Sequence, residues 1–214
     1  MDVGEEQRLL HLTKFESMAR ARGFCYPAGV DEAGRGPLAG PVTAAACIIP
    51  DGVFLEGADD SKKLSEKHRN TFFQRLADDS RIIWAWAAIE SAVIDQINIL
   101  QATMLAMRLA VDSLDMDPDY LLVDGLDLAH PLIPGEKIIK GDQRSQSIAA
   151  ASIIAKVKRD ELMLEYHAQW PEYGFAKHKG YGTQHHLEAL RCHGPCPIHR
   201  RSFRPVAECE GVLI

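Results

Sequence analysis

Asp31 and Glu32 are adjacent acids at the end of an apolar run, and Gly34, Arg35 and Gly36 follow directly. Two carboxylates about 4 Å apart repel each other by several kcal/mol even at an effective dielectric of 20, and a bound divalent cation removes that conflict. Gly34 and Gly36 let the backbone pass close to a ligand and leave its amides open, while Arg35 adds a forked donor for phosphate. On its own an Asp-Glu pair reads as a hairpin with two solvated acids; the attached Gly-Arg-Gly favours a functional site. Two further acids end recognisable runs: Asp124 after Tyr120-Leu121-Leu122-Val123, and Asp142 after Gly141. An acid at the carboxyl end of a buried parallel strand sits where open α/β sheets bind ligands. Asp142 lies at the approach to a helix, where the dipole favours a carboxylate; it can serve as the N-cap, or Ser145 can, leaving Asp142 free. Lys62 and Lys63 precede a helix start and are either solvated or phosphate contacts. Tyr181, set between glycines beside Lys177 and Lys179, is exposed enough to stack on a base or sugar.

These residues need a frame, and the pattern supplies one. An amphipathic helix is expected from about Glu5 to Arg22, docking through Leu9, Leu10, Leu12, Phe15 and Met18. Strands are expected over Gly29–Ala33, Val42–Ile49, Arg81–Ile89, Tyr120–Asp124 and Lys137–Lys140. Ser65 caps a helix from Glu66 to Ala77 with Phe72, Phe73 and Leu76 inward. Residues 91–115 read as one short and one long helix, in which Asn98 and Thr103 need partners if buried. A long helix runs from about Ser145 to Gln169, and its small first turns (Ala149, Ala150, Ala151, Ser152) permit close packing on the sheet. Trp170 to Gly182 reads as an aromatic and glycine-rich loop, and Thr183 caps a last short helix. The basic residues Lys137, Lys140, Arg144, Lys156, Lys158, Arg159, Lys177 and Lys179 are concentrated in one part of the chain.

With 214 residues, the chain is long enough for one domain with a sizeable core. A hydrophobic share of 46% and a charged share of 25% are ordinary for a globular protein, and no apolar run is long enough to cross a bilayer. Cys25, Cys47, Cys192, Cys196 and Cys209 form an odd, scattered set, which points to reduced thiols in the cytoplasm. A net charge of −6 speaks against non-specific coating of nucleic acid, though not against an enzyme with a basic face.

Asp31-Glu32-Ala33-Gly34-Arg35-Gly36 with Pro37-Leu38-Ala39-Gly40-Pro41-Val42, Asp60-Ser61-Lys62-Lys63-Leu64, Val123-Asp124-Gly125 and Lys140-Gly141-Asp142 make half of a longer pattern. Ser147 to Val157, Lys179-Gly180-Tyr181-Gly182-Thr183 and His199-Arg200-Arg201-Ser202-Phe203 make the other half. Together they closely resemble bacterial ribonuclease HII over about residues 27–206. The resemblance implies an α/β ribonuclease H-like fold, a five-stranded mixed sheet flanked by helices, with a small C-terminal helical segment. Residues 1–26 then form an N-terminal helical extension and 207–214 a tail. It implies an endonuclease acting on RNA in RNA–DNA hybrids and on ribonucleotides embedded in duplex DNA, as in ribonucleotide excision repair. The cut falls 5′ of the ribonucleotide and leaves a 3′-hydroxyl and a 5′-phosphate. The family's four acids fall on Asp31, Glu32, Asp124 and Asp142, with Mg²⁺ or Mn²⁺ as the metal. Its reader of the 2′-hydroxyl falls on Gly34, Arg35 and Gly36, and its junction tyrosine on Tyr181. A monomer is expected, with no membrane association, and the tail is a candidate contact for a replication protein. The match departs at Leu126, where Asn is expected after Gly125; a local loop contact is at stake there.

The chemistry agrees with the resemblance. Four carboxylates are hard oxygen ligands suited to Mg²⁺ or Mn²⁺, and two such ions about 3.5–4 Å apart can activate water and stabilise a leaving 3′-oxygen. The 2′-hydroxyl is then needed for recognition, and it is the group that tells RNA from DNA. Neighbouring strand residues point to opposite faces, so Asp31 is expected to bridge the ions while Glu32 reaches them from the strand end or through its carbonyl. Three rivals have less support. A metal-free ribonuclease would use His178, His185 or His186; a zinc site would use Cys192, His193, Cys196 and His199, a compact spacing; a non-catalytic hybrid-binding module would not need all four acids.

Overall fold

The computed structural model describes residue 8 and residues 10–55 and 65–211, so Lys62 and Lys63 lie outside the described residues. The frame is a five-stranded sheet in the order β3-β2-β1-β4-β5. β1 (Pro27–Ala33) pairs antiparallel with β2 (Val42–Ile48), which pairs antiparallel with β3 (Ile83–Ile89). On the other side β4 (Tyr120–Asp124) is parallel to β1, and β5 (Gly135–Ile138) is parallel to β4. The strand carrying Asp31 and Glu32 is therefore the middle one, supported from both sides.

Alternation divides the strand residues between two apolar layers. Val30, Ala44, Ala46 and Val123 pack with Met107 and Val111 of α3 (Ser91–Asp112). Ala45, Cys47 and Ile49 pack on the opposite face with Phe72, Phe73 and Leu76 of α2 (Glu66–Asp78) and with Ala150, Ile153 and Ile154 of α4 (Gln146–Gln169). The small first turns of α4 do allow a close approach: a β-carbon on Gly29 would lie 2.1 Å from the carbonyl carbon of Ser147. Only glycine fits where the middle strand passes under the helix. The Ser65 hydroxyl accepts from the His68 amide at 3.3 Å and caps α2, as expected. The short and long helices expected over 91–115 are the two parts of α3, separated by a break at Asn98 (φ 68°). The Asn98 side-chain oxygen accepts from the Leu100 and Gln101 amides at 3.0 and 3.1 Å, restarting the helix, and buried Thr103 donates to Ile99 at 2.7 Å.

Several expectations need correction. β5 ends at Ile138, because its ladder with β4 ends at Asp124↔Ile138 and the chain then turns. Ile139 is 66% exposed and Lys140 adopts a left-handed conformation, although the pattern placed both in the strand. The loop after α4 contains a 3₁₀ turn (Pro171–Tyr173) and a short helix, α5 (Phe175–His178), before α6 (Gln184–His193); the tail carries α7 (Arg204–Cys209). In the N-terminal region, α1 (Lys14–Ala21) follows the expected docking face only in part: Leu12 is buried and Phe15 packs inward, but Leu10 and Met18 are exposed, Glu16 and Ala19 are buried instead, and Leu9 lies outside the described residues. Glu16 Oε1 accepts from the Ser145 and Ser147 hydroxyls, both at 2.6 Å, and from the Ser147 amide at 2.9 Å. Glu16, which is not among the residues expected to dock this helix, thus binds the donors at the start of α4. Among the described residues no helix is long and apolar enough to cross a membrane.

Candidate active site

The parallel register of β1 and β4 pairs Val30 with Val123, so Asp31 and Asp124 are the next residues on adjacent strands. Both point toward the α4 side, since Leu122, two residues before Asp124, packs with Ile148 of α4, and Gly29, two before Asp31, meets Ser147. Asp31 is only 4% exposed. Burial, followed by the carboxylates of Glu32 and Asp124, pushes its carboxyl well above the usual range, while bonds from the Ser152 hydroxyl and the Glu32 amide pull it back. Asp124 Oδ1 accepts from the Gly141 amide at 2.6 Å, and this bond brings the 3₁₀ turn Gly141–Gln143, with buried Asp142, to the end of β4. The Ser145 hydroxyl accepts from the Ile148 amide at 3.2 Å, so Ser145 caps α4 and Asp142 does not.

Among the described residues no three His, Cys, Asp or Glu side chains already converge on one metal-sized point. The acids are engaged locally instead. Asp31 Oδ1 accepts from the Glu32 amide at 2.7 Å, and Glu32 Oε1 lies 3.3 Å from Arg35 Nη1. The donor chemistry still suits a hard divalent cation: oxygens only, partly buried, repelling one another.

β1 runs directly into the Gly34-Arg35-Gly36 turn. A β-carbon on Gly34, which has a φ of +93°, would overlap the Arg159 side chain at 2.0 Å, so the turn lies flat on that arginine. A β-carbon on Gly36 would meet the Tyr181 ring at 3.7 Å. The Leu38 amide donates to the Gly180 carbonyl at 2.8 Å, holding the two loops side by side. Tyr181 remains 46% exposed, so its ring is available at the surface.

Against this geometry, the sequence profile described as ribonuclease HII matches residues 28–206. The chain belongs to the ribonuclease HII family. It is a ribonuclease H, an enzyme of the class that acts on RNA–DNA hybrids. It is 57% identical over 211 residues to the ribonuclease HII of Chlamydia muridarum, an alignment covering 97% of each chain. Its fold superposes on ribonuclease H2 from Pyrococcus horikoshii with a TM-score of 0.71 and 27% identity, covering 87% of this chain and 97% of that one. Bst-RNase HIII in complex with Mn²⁺ shares the fold at a TM-score of 0.68 and 17% identity, covering 87% of this chain and 69% of that one. The mixed five-stranded sheet is the ribonuclease H-like fold expected from the motifs.

In this chain the turn and Tyr181 lie together, and the turn follows directly on the strand end that carries Asp31 and Glu32. Lys179 does not join them: it is buried, with Nζ donating to the Ala176 carbonyl at 2.8 Å. The expected basic concentration is also divided. Arg159 is buried, Lys156 pairs with Asp160 at 2.6 Å, Lys158 with Glu161 at 2.9 Å and Lys137 with Asp127 at 3.1 Å, while Lys140, Arg144 and Lys177 are exposed. The histidines form a packed stack beneath Tyr181: His178 lies on His186 with ring centroids 4.6 Å apart, and His186 Nε2 lies 3.0 Å from His199 Nε2. Burial pushes His186 and His199 down to about 4, which suits neutral packing partners. Of the candidate zinc set, Cys196 and His199 meet at 3.1 Å, while Cys192 and His193 are exposed at the end of α6. Sequence reasoning missed Ser152 as a donor to Asp31, and it counted Arg159 only as charge. The one available signal was a hydroxyl and an arginine seven residues apart, on a helix that otherwise buries small and apolar side chains.

Proposed function

We propose that this chain hydrolyses RNA in RNA–DNA hybrids and also cuts 5′ of single ribonucleotides in duplex DNA, leaving a 3′-hydroxyl and a 5′-phosphate. One observation carries the reading: β1 supplies two acids and then, without interruption, the turn against which Tyr181 lies. Two of the acids and the turn that would read the ribose thus lie on one continuous stretch of chain, the turn following directly on β1. Water adds to phosphorus and the bond to the 3′-oxygen breaks. Mg²⁺ or Mn²⁺ would supply water activation and stabilisation of the leaving oxygen. Asp31, Glu32, Asp124 and Asp142 would hold these ions, with Asp31 and Asp124 meeting them from one face. Gly34, Arg35 and Gly36 would accept the sugar bearing the 2′-hydroxyl, and Tyr181 would stack on the neighbouring sugar. Lys62 and Lys63 would add phosphate contacts. We take residues 27–206 as the catalytic unit, 1–26 as a helical extension docked through Glu16, and 207–214 as the tail. The same reading makes the enzyme a cytoplasmic monomer, in keeping with its five free cysteines.

The test is cleavage of a DNA duplex carrying one ribonucleotide, with product ends mapped and EDTA as control. A single cut 5′ of the ribonucleotide, lost on chelation, is expected. Cyclic phosphate ends, or cutting that survives EDTA, would sink the proposal.

A further inference from the structure

Arg159 and Arg200 are the two largest fully buried side chains in the described structure, and neither contacts the acids. All six of their hydrogen bonds go to backbone carbonyls of the loops that form the reader. Arg159, on α4, donates through Nε to Pro41, Nη1 to Lys179 and Nη2 to Ala39, at 3.0, 2.9 and 3.1 Å. Arg200, beyond α6, donates through Nε to Gly40, Nη1 to Arg35 and Nη2 to Gly34, at 3.0, 2.9 and 2.6 Å. Between these segments the backbone adds bonds from the Leu38 amide to Gly180, from Gly40 to Ile198 and from Arg200 to Leu38, at 2.8, 2.8 and 2.9 Å. A guanidinium presents its donors in one fixed plane, so each arginine dictates the relative positions of three carbonyls. Burying a cation is costly unless its donors are satisfied, and the carbonyls do this without neutralising the charge. Tyr181 is an electrostatic neighbour of both guanidiniums.

We propose that Arg159 and Arg200 are positioning residues for ribose recognition: their forks turn the carbonyls of Gly34, Arg35, Ala39, Gly40, Pro41 and Lys179 inward and, with the Leu38–Gly180 backbone bond, set the gap between the Gly34-Arg35-Gly36 turn and the Tyr181 ring. The assignment rests on the reading of that turn and ring as the ribose reader. The two forks also leave positive charge directly behind the sugar–phosphate, which offsets the acidic balance of the chain where a polyanion must approach.

Arg200→Lys keeps the charge and loses the fork. Two readouts are taken on the full chain, with thermal unfolding as a check on folding. Amide hydrogen exchange is expected to quicken across residues 34–41 and leave β1 to β4 protected. The ratio of single-ribonucleotide cleavage to long-hybrid cleavage is expected to fall about 10- to 100-fold, the size of effect that a small misplacement produces. A merely structural role would lower the active fraction, reducing both substrates together and leaving KM unchanged. If Arg200→Lys does not fold, Arg159→Lys replaces it, and Arg200→Ala is tested for rescue by millimolar guanidinium ion against sodium chloride of equal ionic strength. Unchanged exchange, an unchanged ratio or absence of guanidinium-specific rescue overturns the proposal. If the wild type leaves a lone ribonucleotide uncut, the proposed function fails on its own account, and the exchange readout still decides whether the arginines hold the turn.

Discussion

Asp31 and Asp124 stand on neighbouring strands whose other side chains are buried among alanine, valine, leucine and isoleucine. Gly34-Arg35-Gly36 and Tyr181 stand on loops backed by guanidinium groups and stacked histidines. At the acid end, apolar packing buries Asp31 beside other carboxylates, and burial first, then the like charges, raise its carboxyl above the usual range. At the reader end, polar side chains bind backbone that no sheet or long helix supports. A sheet fixes a carboxylate through many weak and replaceable contacts, whereas a turn at one specified spacing depends on a few directional bonds. The acid end is therefore expected to tolerate changes in its packing and not in its charge, and the reader end the reverse.

Asp31→Asn tests this most severely. Loss of several kcal/mol of transition-state stabilisation slows cleavage about 10²- to 10⁴-fold. Hybrid binding should persist, and the ion-free protein should melt higher, because a repelled buried charge has gone. A variant that melts lower would break the contrast. Tyr181→Ala should reduce cleavage at a lone ribonucleotide about 5- to 100-fold, the value of one stacking contact of roughly 1–3 kcal/mol. Its melting temperature should hardly move, since the ring is half exposed.

The two ends also respond to pH in opposite directions. Folded Asp31 holds its proton longer than the unfolded chain does, so ion-free stability falls as pH rises from the ordinary 3.8 through the raised folded value. His186 and His199 titrate near 4 when folded and near 6.5 when unfolded, so their contribution is complete above 6.5 and is lost as pH falls toward 4. Melting curves between pH 4 and 8 should show that Mg²⁺ or Mn²⁺ lifts the limb governed by Asp31 and leaves the histidine limb in place. Equal lifting of both limbs would contradict the assignment. The smallest expected effect is that of Ser152→Ala. One hydrogen bond of about 0.5–1.5 kcal/mol is lost, the Asp31 carboxyl rises further, and cleavage at neutral pH slows about 2- to 10-fold.

Much of this was legible in the chain itself. The apolar runs and helical spacing marked the five strands, the main helices and the caps Ser65 and Thr183, since alternation and capping are local rules, while the cap of α4 stayed open between Asp142 and Ser145. The break at Asn98 was visible as a short helix followed by a long one. What failed were positions decided by distant partners. Ile139 and Lys140 look like strand, but β4 has no ladder left to offer them. Glu16 lies outside the apolar set expected to dock its helix, yet it is buried against three donors of Ser145 and Ser147, 129 and 131 residues away.

The order of residue types alone thus determined that an acid pair would end an apolar strand, that glycines and an arginine would follow it, and that two further acids would close later runs. Tertiary structure alone decided that Asp31 and Asp124 share a face, that Lys179 turns inward, and that Arg159 and Arg200 hold carbonyls 118 to 166 residues away. The physical reason is that periodicity and capping are satisfied within a few residues of chain. A guanidinium bound to a remote carbonyl leaves no pattern, because the acceptor belongs to the backbone and is the same whatever the residue.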